Sequence, residues 1–593
     1  MIEKIMKAVK RGNKRRGRNI TIGAVIGFLL SCTAVMGADS YLWIKGDGGE
    51  IEFNTTETVD GGGSWNEGNW DTENPYENVG NIWEENTYTN NTTLSSSAVN
   101  GKYWNYDISY GLRLSGDLTD VNFINNGSIT GEISGSGISY GIHNSATMGN
   151  IENTGTISGS GTGTGNSNGT GYGIENIDGT IRDIKNTGVI SGAGISSSGS
   201  GQDNSYGCGI GNSGEMGAIT NTGVISGSGT SSSGYRIYNR GTIGDITNTG
   251  VIYGKTNAIK NESFETIDTA KNYGILATKG SSEVDGLTMG NFGMYITGDE
   301  GVVTSVTGGS QTVKFGTSER EMIIKNADIE GGSGTGTSTE SIELGNNNYD
   351  NYILNGKDET LKVTDTNNQV TGSIINAYGT AVVFGDTGNK ELTLSGTIVN
   401  GGIDEDDSNP GTKVAAILGS DDTDNGDTLI LQSGKIKYKD GSEVTQNTVV
   451  NGNINMGAGA DTLTIGDGTI INGILDGGDS DSEDTLNFGI SSGAKSNSSE
   501  SEGVRILHNI SNFENMNINT NVTLFEKTIG EDGKEKGLEV TGAEKITIEE
   551  NGTLTLRIDS TNKDNLSGKI IGHALYENEG EISSTDGGKL LLA

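Results

Sequence analysis

The sequence is nearly free of proline, cysteine and histidine. Its 593 residues include 2 prolines, 2 cysteines and 3 histidines. So few cysteines exclude a disulfide-stabilised scaffold, because Cys32 falls in a basic N-terminal leader and leaves only Cys208 in the body of the chain. We therefore predict that Cys208 is a small core residue.

Histidine-dependent catalysis has little support in this composition. The histidines are His143, His508 and His573. No Gly-Asp-Ser-Gly segment, which would suggest a nucleophilic serine, accompanies them. His143 stands where other repeats carry Glu175, Gly211 or Tyr238, so we interpret it as a variable position in a strand or turn.

Basic residues are also in the minority, with 39 lysines and arginines against 77 aspartates and glutamates and a formal net charge of −38. This balance weighs against a nucleic-acid partner, because proteins that bind nucleic acid present basic surface to its phosphates. It suits a soluble, secreted surface that tolerates divalent cations. The main apolar run, residues 20–35, is too short and too interrupted to indicate a membrane span.

Glycine is abundant, at 98 residues, and much of it lies in a phrase that returns five times. The copies are Asn125–Gly131, Asn153–Gly159, Asn186–Gly192, Asn221–Gly227 and Asn248–Gly254, and all share Asn-x-Gly-x-Ile. They lie roughly 30 residues apart, a period typical of stacked repeat proteins. Because the isoleucines are regularly spaced, we expect a packed core rather than disorder.

The spacing within one repeat predicts short β-strands. Ile237, Ile243, Ile246 and Ile252 are separated by Asn, Gly, Thr and Asp, a pattern with one buried face and bends at glycine. One such unit cannot bury its isoleucines alone, so neighbouring units must stack. The predicted fold is therefore all-β: a right-handed parallel β-helix, or β-solenoid, with an N-terminal capping segment. Asparagines at a fixed place in each turn are expected to form a side-chain ladder.

Four regions follow along the chain. Residues 1–38 are expected to be a signal peptide, because a basic stretch precedes the apolar run and small residues follow it. Residues 39–120 form a Trp-rich N-terminal cap, residues 121–300 the regular repeats, and residues 301–593 a continued, more irregular β-helix. Stacked at about 4.8 Å per turn, some twenty turns predict a rod about 100 Å long.

The cap region contains every tryptophan of the chain. These residues are Trp43, Trp65, Trp70, Trp83 and Trp104. We predict that they cover the exposed end of the solenoid, since a repeat stack needs a terminal cap. The alternative is an aromatic platform that stacks on a ligand such as a sugar ring.

The segment Gly457–Thr464 resembles the calcium-binding nonapeptide of β-roll toxins, with Asp461 as its acidic residue. Asp427 and Asp484 stand in similar settings, each followed by Thr-Leu. The segments around Asp427, Asp461 and Asp484 are not tandem nine-residue copies, so we interpret them as acidic corners before strands. The acidic runs Asp404–Asp407 and Asp479–Asp484 are interpreted as solvated loops.

The chain resembles the passenger domain of a Gram-negative autotransporter, the type V secretion class, of an adhesin-like kind. The resemblance rests on the leader that ends at Leu29–Ala38, on the repeats, and on Ile510–Ile518, which contains Asn-Phe-Glu-Asn before a strand. It implies a parallel β-helix exported to the cell surface, the outer membrane or the medium. Autotransporters also carry an outer-membrane β-barrel translocator. This chain shows none of the barrel's alternating strands, so we expect a fragment that lacks it; the alternative is that another chain supplies the pore.

We expect a non-enzymatic adhesin that binds an unknown ligand on host cells or bacteria and contributes to virulence. No catalytic, cofactor-binding or metal-binding residue is assigned from the sequence. Two alternatives stay open: a β-helix enzyme that degrades polysaccharide, and a calcium-binding secreted structural protein. Convergent carboxylates beside Lys or Arg in a groove would favour the enzyme.

Overall fold

The computed structural model describes the greater part of the chain from residue 41 onward. The described residues are 41–55, 58–59, 65–66, 70–77, 80–96, 101–103, 106–135, 137–163, 169–196, 205–229, 235–262, 265–280, 284–297, 302–305, 308–315, 318–327, 341–345, 348–403, 414–478, 483–490, 503–525, 527–529, 535–557, 581–584 and 588–592. The predicted signal peptide, Trp104, Asp404–Asp407, residues 479–482 and His573 lie outside these ranges.

The described residues form an all-β fold built from parallel sheets of stacked strands, and they contain no α-helix. Every turn of the chain contributes strands that pair with those one turn earlier and one turn later. Ile142 pairs with Ile174, for example, and Ile210 pairs with Ile237. This arrangement is consistent with a solenoid and agrees with the predicted all-β class.

The first stack spans residues 42–297 and has three faces. Face 1 contains Leu42–Asp47, Tyr106–Leu118, Gly137–Met148, Gly169–Asn176, Gly207–Asn212, Tyr235–Asn239, Asn257–Asn261 and Val284–Asp285. Face 2 contains Thr87–Asn90, Asn122–Asn125, Ile151–Asn153, Thr180–Asn186, Glu215–Asn221, Thr242–Asn248, Thr266–Asn272 and Gly290–Asn291. Face 3 contains Thr93–Ser96, Ser128–Ser134, Thr156–Gly163, Val189–Ser196, Val224–Gly229, Val251–Gly254, Ile275–Thr278 and Met294–Thr297.

Antiparallel strands lie at both ends of this stack. At its beginning they are Glu50–Asn54, Thr58–Val59, Trp65–Asn66, Ile82–Glu84 and Gly101–Tyr103. At its other end Val302–Ser305 pairs antiparallel with Met294–Thr297. Because Glu50–Asn54 folds back on Leu42–Asp47, the first strand of face 1 has a partner on each side.

The predicted core isoleucines are buried inside the first stack. Ile237, Ile243, Ile246 and Ile252 are each at most 1% exposed and belong to one continuous hydrophobic cluster. This part of the prediction is confirmed, because the strand alternation placed those side chains on the inner surface.

The predicted asparagine ladder is also confirmed, and the first stack has two of them. In each ladder the Nδ2 of one asparagine donates to the Oδ1 of the asparagine one turn later, at 2.7–2.9 Å. The ladder at the end of face 1 contains Asn144, Asn176, Asn212, Asn239 and Asn261. The ladder at the end of face 2 contains Asn90, Asn125, Asn153, Asn186, Asn221, Asn248, Asn272 and Asn291.

The glycine of the Asn-x-Gly phrase lies in the bend between faces 2 and 3, as predicted, and it also allows neighbouring turns to pack closely. Gly155, Gly188 and Gly223 do not have a positive φ angle. A Cβ atom on Gly188 would lie 2.0 Å from the carbonyl oxygen of Gly155, and one on Gly223 would lie 2.0 Å from the oxygen of Gly188. These glycines therefore stack directly on one another, and a side chain would push adjacent turns apart.

The second stack spans residues 309–592 and has four columns of parallel strands. One contains Ser318–Asn326, Tyr352–Gly356, Ile374–Ala377, Ile398–Asn400, Val449–Asn451 and Ile470–Asn472, with Gly309–Phe315 antiparallel at its edge. Another contains Ile342–Leu344, Glu359–Val363, Thr380–Phe384, Ile417–Leu418, Ile454–Asn455, Leu475–Asp476 and Ile510–Ser511. The third contains Tyr349–Asp350, Asn368–Thr371, Glu391–Ser395, Thr428–Gln432, Thr462–Ile465, Thr485–Phe488, Asn515–Ile518, Lys545–Ile548 and Glu581–Ser584. The fourth contains Val504–Ile506, Asn521–Leu524, Thr553–Leu556 and Lys589–Leu592.

Two β-hairpins project from the second stack. One pairs Gly434–Lys437 with Glu443–Gln446, and the other pairs Lys527–Ile529 with Glu535–Gly537. A third asparagine ladder runs along this stack through Asn326, Asn355, Asn376, Asn400, Asn451 and Asn472.

The two stacks lie side by side and run in opposite directions, which differs from the single rod expected from the sequence. A row of hydrogen bonds runs from the third ladder to main-chain carbonyl oxygens of the first stack. Asn376 donates to Tyr273, Asn400 to Thr249, Asn451 to Thr222 and Asn472 to Thr187, at 2.8–2.9 Å. As the donors advance along the chain, their acceptors step backward. The chain therefore folds back on itself.

An apolar seam accompanies this hydrogen-bonded row. Val224, Val251 and Ile275 of the first stack share a buried cluster with Ile403 and the partly buried Tyr378 of the second. The three first-stack residues occupy the variable position after glycine in the repeat phrase. That position is therefore part of the contact between the stacks.

Candidate functional site

Face 1 of the first stack carries a line of stacked aromatic rings, which are buried in a cluster separate from the central core. The ring centroids of Tyr110 and Tyr140 are 5.6 Å apart, and those of Tyr140 and Tyr172 are 5.4 Å apart. The rings align because these residues are direct register partners on neighbouring turns. Cys208 continues the line, is fully buried and forms no disulfide, in agreement with the prediction that it is a small core residue.

A second line lies beside the aromatic one and contains ionisable groups. Arg113, His143, Glu175, Gly211 and Tyr238 follow one another as register partners, one per turn. The variable repeat position predicted for His143 is therefore a strand position within Gly137–Met148, as expected. We call this line the ionisable column.

His143 is held between tyrosine rings. Its ring contacts those of Tyr110 and Tyr140 edge-on, with centroids 5.2 and 5.0 Å away. Burial lowers the pKa of His143 to about 3, and the positive charge of Arg113 lowers it further in the same direction. The imidazole is therefore neutral at pH 7, and its Nδ1 atom is buried without a hydrogen-bond partner.

Glu175 lies on the next turn and is 3% exposed. Burial raises the pKa of this carboxyl to about 8, although the charge of Arg240 opposes the shift. The carboxyl fills the space above Gly211, since a Cβ atom there would lie 1.7 Å from Glu175 Oε2. Shifted pKa values often mark functional sites. Here Nδ1 of His143 and Oε2 of Glu175 both lack hydrogen-bond partners, so the geometry supplies no proton relay between them.

Two tryptophans, Trp43 and Trp70, continue the aromatic cluster into the cap region, and Trp83 packs against the central core. Trp43 is 6% exposed; the Arg113 guanidinium lies 4.0 Å from its ring centroid, and the Trp70 ring lies 4.5 Å away. Arg113 and Trp70 therefore cover the ring of Trp43, which leaves little of the ring accessible to a ligand. Trp83 contacts Phe53 edge-on at 5.6 Å.

The acidic residues noted in the sequence come together in the second stack. Asp427, Asp461 and Asp484 precede strands that are in parallel register, so they stand one above another on successive turns. All three are at most 1% exposed. The interpretation of all three as acidic corners before strands is confirmed. The interpretation of the run Asp479–Asp484 as a solvated loop is wrong for Asp484, which is buried.

Across the described part of the chain, no group of three or more His, Cys, Asp or Glu side chains is placed to hold a metal ion. The same residues include no helix long and apolar enough to cross a membrane. Comparison with known proteins adds nothing to this description: no protein-family model, no curated protein and no solved structure matches the chain.

Proposed function

We propose that the chain is an exported, non-enzymatic passenger of the autotransporter kind, built as a right-handed parallel β-helix and displayed on the cell surface or released. Its role would be adhesion to host or bacterial cells. The observation that supports the proposal is a scaffold of stacked strands and asparagine ladders in which the strands before the variable segments end in register on successive turns.

Strands of face 3 on three successive turns end at Gly163, Ser196 and Gly229, and the next strands of face 1 begin at Gly169, Gly207 and Tyr235. The ends of the face 3 strands are in register, since Gly163 pairs with Ser196 and Gly194 pairs with Gly229. We call this row of strand ends the loop edge. The sequences that follow the three strands, residues 164–168, 197–204 and 230–234, differ in length and composition and lie outside the described residues. A rigid scaffold that presents adjacent variable loops is a common basis of binding.

The strong negative charge is compatible with an extracellular role. A net charge of −38 keeps a long chain soluble and disfavours adsorption to anionic surfaces. Adhesion would therefore depend on specific contacts made by the loops.

The proposal is tested with residues 39–593 coupled to fluorescent beads, which are counted on epithelial monolayers and on bacterial cells. We expect retention several times that of albumin-coated beads on at least one of these surfaces. Insertion of a peptide tag between Gly199 and Ser200 should reduce retention because it disturbs the shared loop edge. The same tag between Asp440 and Gly441, in a hairpin turn of the second stack, should leave retention unchanged.

A folded protein whose beads are retained no better than albumin beads on either surface would contradict adhesion. Equal loss of retention from both tag positions would contradict the assignment of binding to the loop edge.

A further inference from the structure

Arg240 is an exposed arginine that directly follows the face 1 strand Tyr235–Asn239. Because Asn239 belongs to the inward-pointing ladder of face 1, its neighbours Tyr238 and Arg240 point outward. The guanidinium of Arg240 lies over the Tyr238 ring, 4.9 Å from the ring centroid. Among the described residues no carboxylate pairs with Arg240, and no oxygen accepts a hydrogen bond from its guanidinium. The N–H donors of this guanidinium are therefore available to a ligand.

The turn before Arg240 carries only small side chains beside it. Gly211 is the register partner of Tyr238. The main-chain N–H of Arg240 donates to Asn212 O at 2.7 Å, which places Ser213 next to Arg240. Glycine and serine at these two outward positions leave a shallow notch in face 1, which we call the Arg240 notch.

Glu175 forms the opposite side of the Arg240 notch. It is the register partner of Gly211 on the preceding turn, and its Oε2 lies 1.7 Å from the place of a Cβ atom on Gly211. Glu175 is 3% exposed, and this oxygen is buried without a hydrogen-bond partner. Burial raises the pKa of the carboxyl to about 8, so the group is protonated at pH 6.5. A neutral carboxyl donates a hydrogen bond and does not repel an anion on Arg240.

Tyrosine hydroxyls lie close to the same notch. The hydroxyls of Tyr172 and Tyr206 are hydrogen-bonded to each other, and both interact electrostatically with Arg240. The Tyr238 hydroxyl donates to Glu262 Oε1 at 2.9 Å, which holds this acid on the turn after Arg240, away from the notch. The Arg240 notch therefore combines one cation with hydroxyl groups and a neutral carboxyl.

We propose that the Arg240 notch binds an acidic sugar of the uronic acid class through its carboxylate. The planar guanidinium presents parallel N–H donors that match the two oxygens of a carboxylate, and the Tyr238 ring behind it restricts its orientation. The Glu175 carboxyl and the tyrosine hydroxyls supply hydrogen bonds to sugar hydroxyls. Stacked aromatic and polar groups of this kind are typical of small-ligand sites.

This site goes beyond the proposed adhesion. It consists of residues in and beside face 1 strands, whereas adhesion is assigned to the segments that follow the face 3 strands. A soluble sugar replaces cells in its test, so a failure to bind the sugar leaves the result with beads and cells unaffected.

The test uses residues 39–593 at pH 6.5 in 0.15 M sodium chloride, which keeps Glu175 neutral and screens the net negative charge. Sodium glucuronate, methyl glucoside and sodium acetate are titrated separately, and binding is measured by saturation-transfer NMR of the ligand. We expect glucuronate to bind at least ten times more tightly than the neutral sugar or acetate.

Three variants locate the binding. Arg240→Gln should weaken glucuronate binding at least tenfold, because the exposed guanidinium is lost. Arg182→Gln, which changes an exposed arginine of face 2, should leave the affinity unchanged. Glu175→Gln should retain binding, because the amide is also neutral and also donates hydrogen bonds.

Absence of glucuronate binding to the unmodified chain would overturn the proposal, whatever the variants do. Equal affinities for acetate and glucuronate would also overturn it, since the site would then recognise a carboxylate without the sugar. Equal affinities of the Arg240→Gln and Arg182→Gln chains for glucuronate would place the binding elsewhere and contradict the assignment.

Discussion

Replacing Gly188 with alanine is expected to lower the free energy of unfolding by about 3 kcal/mol or more. The new Cβ atom would lie 2.0 Å from the Gly155 carbonyl oxygen, inside van der Waals contact. The obstacle is main chain on the preceding turn, and Gly223 packs against Gly188 from the following turn. No side-chain rotation can relieve such a contact, so the turns themselves must separate.

Urea denaturation followed by circular dichroism measures this effect. The control is Gly537→Ala, because a Cβ atom there meets no heavy atom within 4 Å and the glycine does not have a positive φ. We expect the control to change stability by less than about 0.5 kcal/mol. Equal stability of the two variants would show that the glycine column is not closely packed.

Replacing Asn400 with alanine is expected to cost about 3 kcal/mol, because the side chain serves both the third ladder and the contact between the stacks. Its Nδ2 donates to Thr249 O at 2.9 Å and to Asn376 Oδ1 at 2.8 Å. Its Oδ1 accepts from Asn451 Nδ2 at 2.7 Å. Truncation would leave buried groups on both stacks without partners.

The same denaturation experiment applies, with Asn150→Ala as the control. Asn150 is exposed, and its side chain takes no part in a ladder. The control should therefore be nearly neutral. If Asn400→Ala destabilised no more than Asn150→Ala, the third ladder would contribute nothing to joining the stacks.

The core and the ladders could be predicted from the sequence because both are periodic. Isoleucine at a fixed spacing indicates an inner face, and asparagine at a fixed place in each turn brings amides into line. The glycine was predicted only as a bend, and the structure adds a second role, the close approach of neighbouring turns. A bend and a close approach of two backbones both favour glycine, so the residue type alone does not reveal the second role.

The fold-back could not be predicted by the same reasoning. Asn400 and its acceptor Thr249 are 151 residues apart, and no local pattern connects them. One indication was present: the position after the repeat glycine is Ser128 and Thr156 in early copies but valine from Val189 onward. An apolar residue at an outward position indicates a covered surface. It does not say which part of the chain covers it.

The stacking of Asp427, Asp461 and Asp484 escaped prediction because turns of the second stack differ in length. Asp427 and Asp461 are 34 residues apart, but the hairpin Gly434–Gln446 lies between them. Asp461 and Asp484 are 23 residues apart without such an insertion. Unequal spacing therefore conceals residues that stand on successive turns.

The side-by-side arrangement of two antiparallel stacks is the central structural claim, and a distance between spin labels tests it most directly. Gly80 of the first stack lies beside Arg557 of the second: a Cβ atom on Gly80 would be 3.3 Å from Arg557 Nη2. Labels at Glu77 and Asn551, both exposed, are placed in residues 39–593 carrying Cys208→Ala. Pulsed electron paramagnetic resonance should give a distance between the labels below about 45 Å, because only short segments separate Glu77 from Gly80 and Asn551 from Arg557. A single continuous rod would separate the labels by about 100 Å, and that result would contradict the account.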